Sequence, residues 1–296
     1  MRSLILVCGA SGQLGSVVAR KLLERQLAVR ALSRDVRKLD ALKALGAEVV
    51  QGDLMDRRSL EVALAGADRV FTSANSILGK GSTSPARIDR QGNRNLVDAA
   101  RTARVRQFVF MSSIALSHDA VVDLFRFKVE SEEYVKRSGV PWVVLQSAAF
   151  LDIWVPMFTS SMRKNGTATL FGAGANKSNY IAVSDVAEFA VRILTRDDVV
   201  NEVVQIGGPD HLTMSELLTH TEEALGIKAR RRHIPLPVLR LMPPIIRPFN
   251  EVAARFMNLG YWSETTPKLC EAWRTAAERF GVQPMTVKEY LARSDL

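Results

Sequence analysis

Leu4-Ile5-Leu6-Val7-Cys8 runs into Gly9-Ala10-Ser11-Gly12-Gln13-Leu14-Gly15, and that loop runs into Ser16 to Arg25. The first stretch is a short, wholly apolar run, as a buried strand is. The last carries apolar residues at helical spacing. Between them lies a GxxGxxG turn. Strand, glycine loop and helix in this order present backbone N–H groups and a helix N-terminus to a diphosphate in a doubly wound α/β sheet. The glycines have separate tasks. Gly9 permits the tight turn, Gly12 lets a phosphate approach the backbone, and Gly15 lets the helix pack closely on the sheet. The loop residues Gly9, Ser11, Gly12, Gln13, Leu14 and Gly15 are the first candidates for binding a dinucleotide. The spacing is looser than the GxGxxG fingerprint.

The chain has 296 residues, enough for one large domain or two. Its hydrophobic fraction of 47% and charged fraction of 24% are those of a globular protein in water. No apolar run is long enough to span a bilayer, and Met1 to Val7 is too short for a leader, so a cytoplasmic protein is expected. Cys8 and Cys270 stand far apart and there is no Cys/His cluster, which argues against a disulfide framework and a zinc site. The net charge of +9 admits nucleic acid, anionic membrane or an anionic ligand. No aromatic-interleaved basic motif of an RNA-binding module occurs, so nucleic acid is not expected as a partner.

The first half alternates strand and helix. Strands are read at Ile5–Cys8, Ala28–Leu32, Glu48–Gln51, Arg69–Thr72, Gln107–Met111 and Trp142–Leu145. Helices are read at Gln13–Arg25, Val36–Leu45, Ser59–Leu64, Ala86–Ala103 and Phe127–Ser138, with Gly46 and Gly139 as C-caps. Repeated βα units imply a parallel sheet with right-handed crossovers. Ser147 to Asn179 reads as irregular. Then come a helix over Ala182–Thr195 with Ser184 as N-cap, a strand over Val203–Ile206, and a helix after Thr213 and Ser215 through Leu225. The fold expected is a doubly wound Rossmann sheet over 1–207, with 148–180 a substrate-side insertion, and a small, mainly helical substrate region over 208–296.

The strand ends supply further site candidates. An acid after the second strand would bond the adenosine ribose 2′-OH; here stand Ser33 and Arg34, with Arg37 and Lys38 close behind. A guanidinium forks onto a 2′-phosphate and stacks on adenine, so NADP(H) is expected in preference to NAD(H). Asp53 either accepts from the adenine amino group, with Leu54 against the ring, or caps the next helix. Ser73, Ala74 and Asn75 are small and leave room for cofactor at the end of the fourth strand. Ser112 and Ser113 end the fifth strand, where a substrate carbonyl would meet a hydroxyl.

The segment from Lys128 through Glu130, Glu132, Ser138-Gly139-Val140-Pro141 and Trp142 resembles the helix–strand signature of the NmrA-like family of atypical short-chain dehydrogenase/reductases. The opening glycine pattern, Val29 to Arg34, Gly52-Asp53-Leu54, Tyr180 to Ala187 and Gly207-Gly208-Pro209 before Leu212-Thr213 match in order, through about Leu218. The resemblance implies a Rossmann domain, NAD(P)(H) binding and a substrate cleft. Family members include quinone and isoflavone-type reductases, and also cofactor-sensing regulators and assembly factors. It implies that Lys128 binds the nicotinamide ribose hydroxyls and that Phe150 covers the nicotinamide face. Read from residue type alone, Lys128 is a salt-bridge partner of Glu132 and Phe150 a core aromatic. Tyr180 and Asp185 are expected to anchor the returning helix.

One departure matters. The wider superfamily places a proton-donating Tyr four residues before the Lys, and here that residue is Leu124. Tyr134 lies off the same helix face and is no replacement. Ser112, Ser113, His118, Asp123 or a water are the substitutes available. A quinone or apolar carbonyl suits such a site, because solvent can protonate a reduced quinone. A cofactor-binding sensor or scaffold without turnover is the alternative.

No acid occurs from Ala224 to Asn250, a stretch carrying Lys228, Arg230, Arg231, Arg232, Arg240 and Arg247 among large apolar residues and prolines. Three readings stay open: a helix and loop closing the substrate pocket, peripheral contact with an anionic membrane, or contact with a protein or RNA partner. Oligomeric state is not legible.

Overall fold

Ile5 and Val7 turn to one side of the first strand, Leu6 and Cys8 to the other, and all four are buried. A strand apolar on both faces has to be covered on both faces. A computed structural model describes residues 3–293 and shows how this is done. The outermost positions of the two regions read above, 1–2 and 294–296, lie outside those residues.

The first half runs β1 (Leu4–Cys8), α1 (Gln13–Glu24), β2 (Ala28–Ser33), α2 (Asp40–Ala44), β3 (Glu48–Gln51), α3 (Arg57–Leu64), β4 (Arg69–Thr72), α4 (Asn93–Thr102), β5 (Gln107–Ser113), α5 (Asp123–Arg137) and β6 (Trp142–Ser147). The second runs α6 (Leu151–Asn165), β7 (Thr167–Phe171), β8 (Lys177–Asn179), α7 (Val183–Leu194), β9 (Glu202–Ile206), β10 (His211–Thr213), α8 (Met214–Leu225) and β11 (Arg230–Ile234). It closes with α9 (Leu236–Leu241), α10 (Pro243–Ile246), α11 (Glu251–Thr265), α12 (Trp273–Phe280) and α13 (Val287–Arg293). Seven strands form one parallel sheet in the order β3-β2-β1-β4-β5-β6-β9. The order reverses between β1 and β4, which opens a crevice at their carboxyl ends. Helices α1 and α7 cover one face through Val18, Leu22, Val186 and Phe189. Helices α3, α4 and α5 cover the other through Leu60, Leu96 and Val135. The expected doubly wound sheet is the sheet observed.

Several expectations are corrected. The helix read over Val36–Leu45 is a 3-10 turn over Val36–Leu39 followed by the short α2. The helix read over Ala86–Ala103 begins as a π-helical turn over Ala86–Gly92. α5 starts at Asp123 rather than Phe127, and α3 starts at Arg57 because the Asp56 carboxylate accepts from the Arg58 N–H. Ser184 is not an N-cap: Ala182 holds that position and Ser184 sits in the first turn. Thr213 is one, in a capping box with Glu216, while Ser215 lies inside α8. Gly46 and Gly139 do end their helices with positive φ.

Ser147–Asn179 is not irregular. It holds α6, which tolerates Pro156 near its start, and the strands β7 and β8. The region after 208 is not only helical. β11 pairs parallel with β7, and β10 antiparallel with β8, so the insertion and the C-terminal segment share one small core around Trp154, Phe158, Leu170 and Leu217. α12 returns to the main sheet, where Phe280 meets Phe189 edge-on at 6.2 Å. α11 packs on α5 instead, with Trp262 against Phe125 at 4.6 Å.

Candidate functional site

The loop after β1 has little freedom. The Gly12 N–H donates to Gly9 O at 2.9 Å, and Gly9 itself has φ +82°. A Cβ on Gly15 would lie 2.6 Å from the Gly9 carbonyl carbon and closer still to its oxygen. The helix therefore starts directly beneath the turn. No side chain caps α1 and no acid stands in its first turn, so first-turn N–H groups face the crevice free for an anion. Leu14 and Gly15 are buried; they shape the loop from below and do not line the crevice.

The crevice encloses about 670 Å³. Gly9, Ser11, Gly12 and Gln13 form one wall. Arg34, Asp53 and Leu54 line the far end, and Ser73, Ala74 and Asn75 the side opposite the loop. A Cβ on Gly9 would meet Ala74 N at 3.0 Å and Ser73 Oγ at 3.1 Å, so the two walls touch at the bottom. Room, open amides and a cationic end together fit a dinucleotide.

Charge at that end is sorted by one ion pair. Asp35 and Arg37 bind each other through two contacts, at 2.9 and 3.0 Å, and the Arg37 guanidinium holds the Asp35 carboxyl below its usual range. Arg37, which follows close behind Arg34 in sequence, is thus engaged and does not line the crevice. Arg34 and Lys38 do line it, and neither forms an ion pair among the described residues. Asp53 accepts from the Met55 N–H at 2.9 Å through one oxygen.

The other candidates lie deeper or apart. Lys128, half-buried on α5, donates to Met111 O at 3.0 Å and stands 5.3 Å from the Phe110 ring. Burial pushes its pKa down, against the opposing pull of Asp89 and Glu132. No Lys128–Glu132 bridge forms: Glu132 takes Gln146 and Lys136. Ser113 Oγ is engaged with Ser147 O, whereas Ser112 Oγ is buried without a partner. Alternation along β5 puts Ser112 on the sheet face of Phe110, the face that Lys128 covers. His118 pairs with Glu133 at 2.8 Å on an exposed surface and is not part of the crevice lining. Phe150 is half-buried in the N-cap position of α6, bridged to Ile181. Leu124 is buried with Phe125 and Trp262, and the Tyr134 hydroxyl donates to Asp98 at 2.9 Å. Asp185 anchors the C-terminal segment by accepting from Met285 N–H at 2.9 Å.

Sequence reasoning missed Asp89. It is fully buried in the π-helical turn. One carboxyl oxygen accepts from the Ser76 N–H at 2.9 Å and the other has no partner. Its carbonyl accepts from Asn93 Nδ2 and Ser131 Oγ. Burial raises its pKa to about 7, opposed by the charges of Lys128 and Arg255 and reinforced by Asp123. No motif announces it, though π-turns recur at functional sites. Asp89, Ser112 and Lys128 all leave hydrogen-bonding capacity unused at the carboxyl ends of β4 and β5. Arg255 on α11 closes this end, bonding Asp123 at 3.1 Å and Ile77 O at 2.6 Å. No set of acidic, His and Cys side chains suited to a metal occurs among the described residues.

The family model of the NmrA-like family matches residues 1–291. A NAD(P)H azoreductase of Xenophilus azovorans is 32% identical over 77% of this chain and 76% of its own length. The Photosystem II assembly factor Ycf39 of Synechocystis is 28% identical over 97% of this chain and 89% of its own. Among solved structures, an NADPH complex of a quinone oxidoreductase from Escherichia coli aligns with a TM-score of 0.78 at 19% identity, covering 98% of both chains. That last likeness is one of fold.

Proposed function

This chain belongs to the NmrA-like family, and from that premise we propose that it is an oxidoreductase that binds NADP(H) in preference to NAD(H) and reduces a small apolar carbonyl or quinone. The observation carrying the reading is the crevice: open first-turn amides at one end of a 670 Å³ cleft and two unpaired cations, Arg34 and Lys38, at the other. The azoreductase relative supports reduction with a nicotinamide cofactor.

When bound, a reduced nicotinamide supplies a hydride. The chain supplies position and charge. The loop amides hold the diphosphate, and Arg34 with Lys38 neutralises a 2′-phosphate that Asp35 cannot repel while Arg37 engages it. Lys128 has two N–H donors left after Met111 and offers them to ribose hydroxyls. Phe150, at the start of α6 and packed against the main-sheet core, is assigned to the nicotinamide face. Ser112, whose buried Oγ has no partner, is assigned to the acceptor oxygen. Leu124 donates no proton, so the acceptor takes its proton from water, which a quinone tolerates. His118, held by Glu133, has no part in this scheme.

A second reading rests on Leu124 itself. With a buried leucine at the donor position, the chain binds the cofactor and reports or scaffolds without turnover, a reading that the assembly-factor relative supports. Titration with NADPH and NADH, followed by NADPH oxidation across a quinone and carbonyl panel, separates the two. Turnover with any acceptor supports the first; binding without oxidation across the panel gives the second. Arg34→Ala is expected to weaken NADPH about 10- to 100-fold, the loss of one charge-assisted contact, and to leave NADH within about 2-fold. An unchanged preference removes Arg34 from the argument.

A further inference from the structure

Leu241, Ile245 and Phe249 are 64%, 60% and 90% exposed. They recur every fourth residue along α9, α10 and the turn that follows, so they fall on one side of successive turns. Bonds from Met242 N to Val238 O, Arg247 N to Pro243 O and Asn250 N to Ile246 O carry the winding past Pro243 and Pro244. The inward side is occupied by Leu239 and Pro243, both buried. The outward row is therefore no misplaced core face; it is a second apolar face with none of the described residues covering it. Rows of this kind mark interaction sites.

The charge around it selects the partner. Lys228, Arg230, Arg232, Arg240 and Arg247 are exposed, and none forms an ion pair among the described residues. Only Arg231 of this stretch turns inward, to Glu222 at 2.7 Å. No acid occurs from Ala224 to Asn250. A second copy docked face to face would set these cations against their own images. Single-stranded nucleic acid calls for stacked aromatic side chains, and two of the three outward residues are aliphatic. A layer that is anionic outside and hydrocarbon inside satisfies both halves of the face.

We propose that the α9–α10 face docks this protein peripherally on an anionic lipid bilayer, with Leu241, Ile245 and Phe249 at the headgroup–acyl boundary and the flanking arginines on lipid phosphates. α11, which packs on both short helices, carries the Arg255 and Trp262 that close the Lys128 end of the site. Docking thus brings the bilayer to the element bordering the candidate site; that it delivers an apolar acceptor there rests on the reductase reading, whereas docking itself does not.

Flotation with vesicles of phosphatidylcholine alone, or with one-third phosphatidylglycerol, tests the proposal. The full chain is expected to float with the anionic vesicles, less so at high salt, and not with the neutral ones. Arg240→Glu/Arg247→Glu should lower partitioning at least ~25-fold, at about 5-fold per lost basic charge. Phe249→Ser should lower it by about 10-fold. Both variants should keep the wild-type melting temperature and NADPH affinity, since these side chains lie in water. A wild type that floats with neither vesicle, or equal flotation of all three proteins, overturns the proposal. So does a wild-type dimer in sedimentation that Phe249→Ser turns into a monomer, which would give the face to a second copy.

Discussion

Gly15→Ala is expected to lose about 3 kcal/mol of stability and at least ~100-fold in dinucleotide affinity, while Gly12→Ala loses the affinity alone. The two glycines stand three residues apart in one loop and answer to different neighbours. The added methyl at 15 collides with the Gly9 carbonyl, which is backbone and is held by the Gly12 N–H. Relief requires the turn and the helix to part, and the amides that face the diphosphate move with them. Two misaligned charge-assisted bonds of roughly 1.5 kcal/mol or more each account for the affinity. At 12 the backbone is extended, φ −89°, a conformation alanine adopts freely. Its Cβ would stand 3.2 Å from Gly9 O, on a residue that lines the crevice and that a phosphate has to approach closely. Thermal melts and NADPH titration of both variants check this. Equal melting temperatures for the two would mean that the loop yields at 15, and the packing argument fails.

That contrast also explains which parts of the fold were legible. Leu4–Cys8, the glycine turn and the helix after it are local features: hydrophobic period and a missing Cβ decide them within about twenty residues. The seven strands read from sequence, Val203–Ile206 included, are the seven of the main sheet; Glu48–Gln51 and Arg69–Thr72 keep their bounds and the others gain one or two residues at an end. β7, β8 and β11 were not legible because nothing local decides them. Arg230-Arg231-Arg232-His233 has the composition of a solvated loop, and it is a strand because Thr167–Phe171 lies alongside. Tertiary pairing overrode composition there. Likewise Ser147–Asn179, read as irregular, holds α6 even though Pro156 lies inside that helix.

The site divides in the same way. The diphosphate end was legible because backbone amides bind phosphate, and backbone geometry leaves its trace in glycines. The cationic end was legible as composition and not as pairing: Arg34 and Arg37 look alike in sequence, and only Asp35 tells them apart. The far end was least legible. Lys128 came through family resemblance, while Asp89 belongs to no motif and becomes conspicuous only when its burial, its π-turn and its unpartnered oxygen are seen together.

Asp89→Asn is expected to change the pH dependence of stability more than substitution of a carboxylate that lines the crevice. The folded-state pKa of Asp89, about 7, lies above the 3.8 of the free side chain. Between those values the native protein holds a proton that the unfolded chain has released. Stability from this group is full below pH 4, falls as pH rises, and levels off above about 7. The asparagine variant lacks the dependence, keeps the shape, and still accepts from the Ser76 N–H. Between pH 5 and 8 the stability difference should move in its favour by roughly 2.5 kcal/mol. The groups around Asp89 give the change a second signature. Asp89 raises the Lys128 pKa; Arg255 and Asp123 pair with each other and keep their charges in the variant. Without Asp89, Lys128 loses its proton at lower pH, and the upper pH limit of NADPH binding should fall. Urea unfolding and NADPH titration at both pH values test the two effects. Parallel stability profiles for wild type and variant would mean that Asp89 stays ionised across the range, and the burial argument fails; an unchanged upper pH limit of NADPH binding would separately remove the coupling to Lys128.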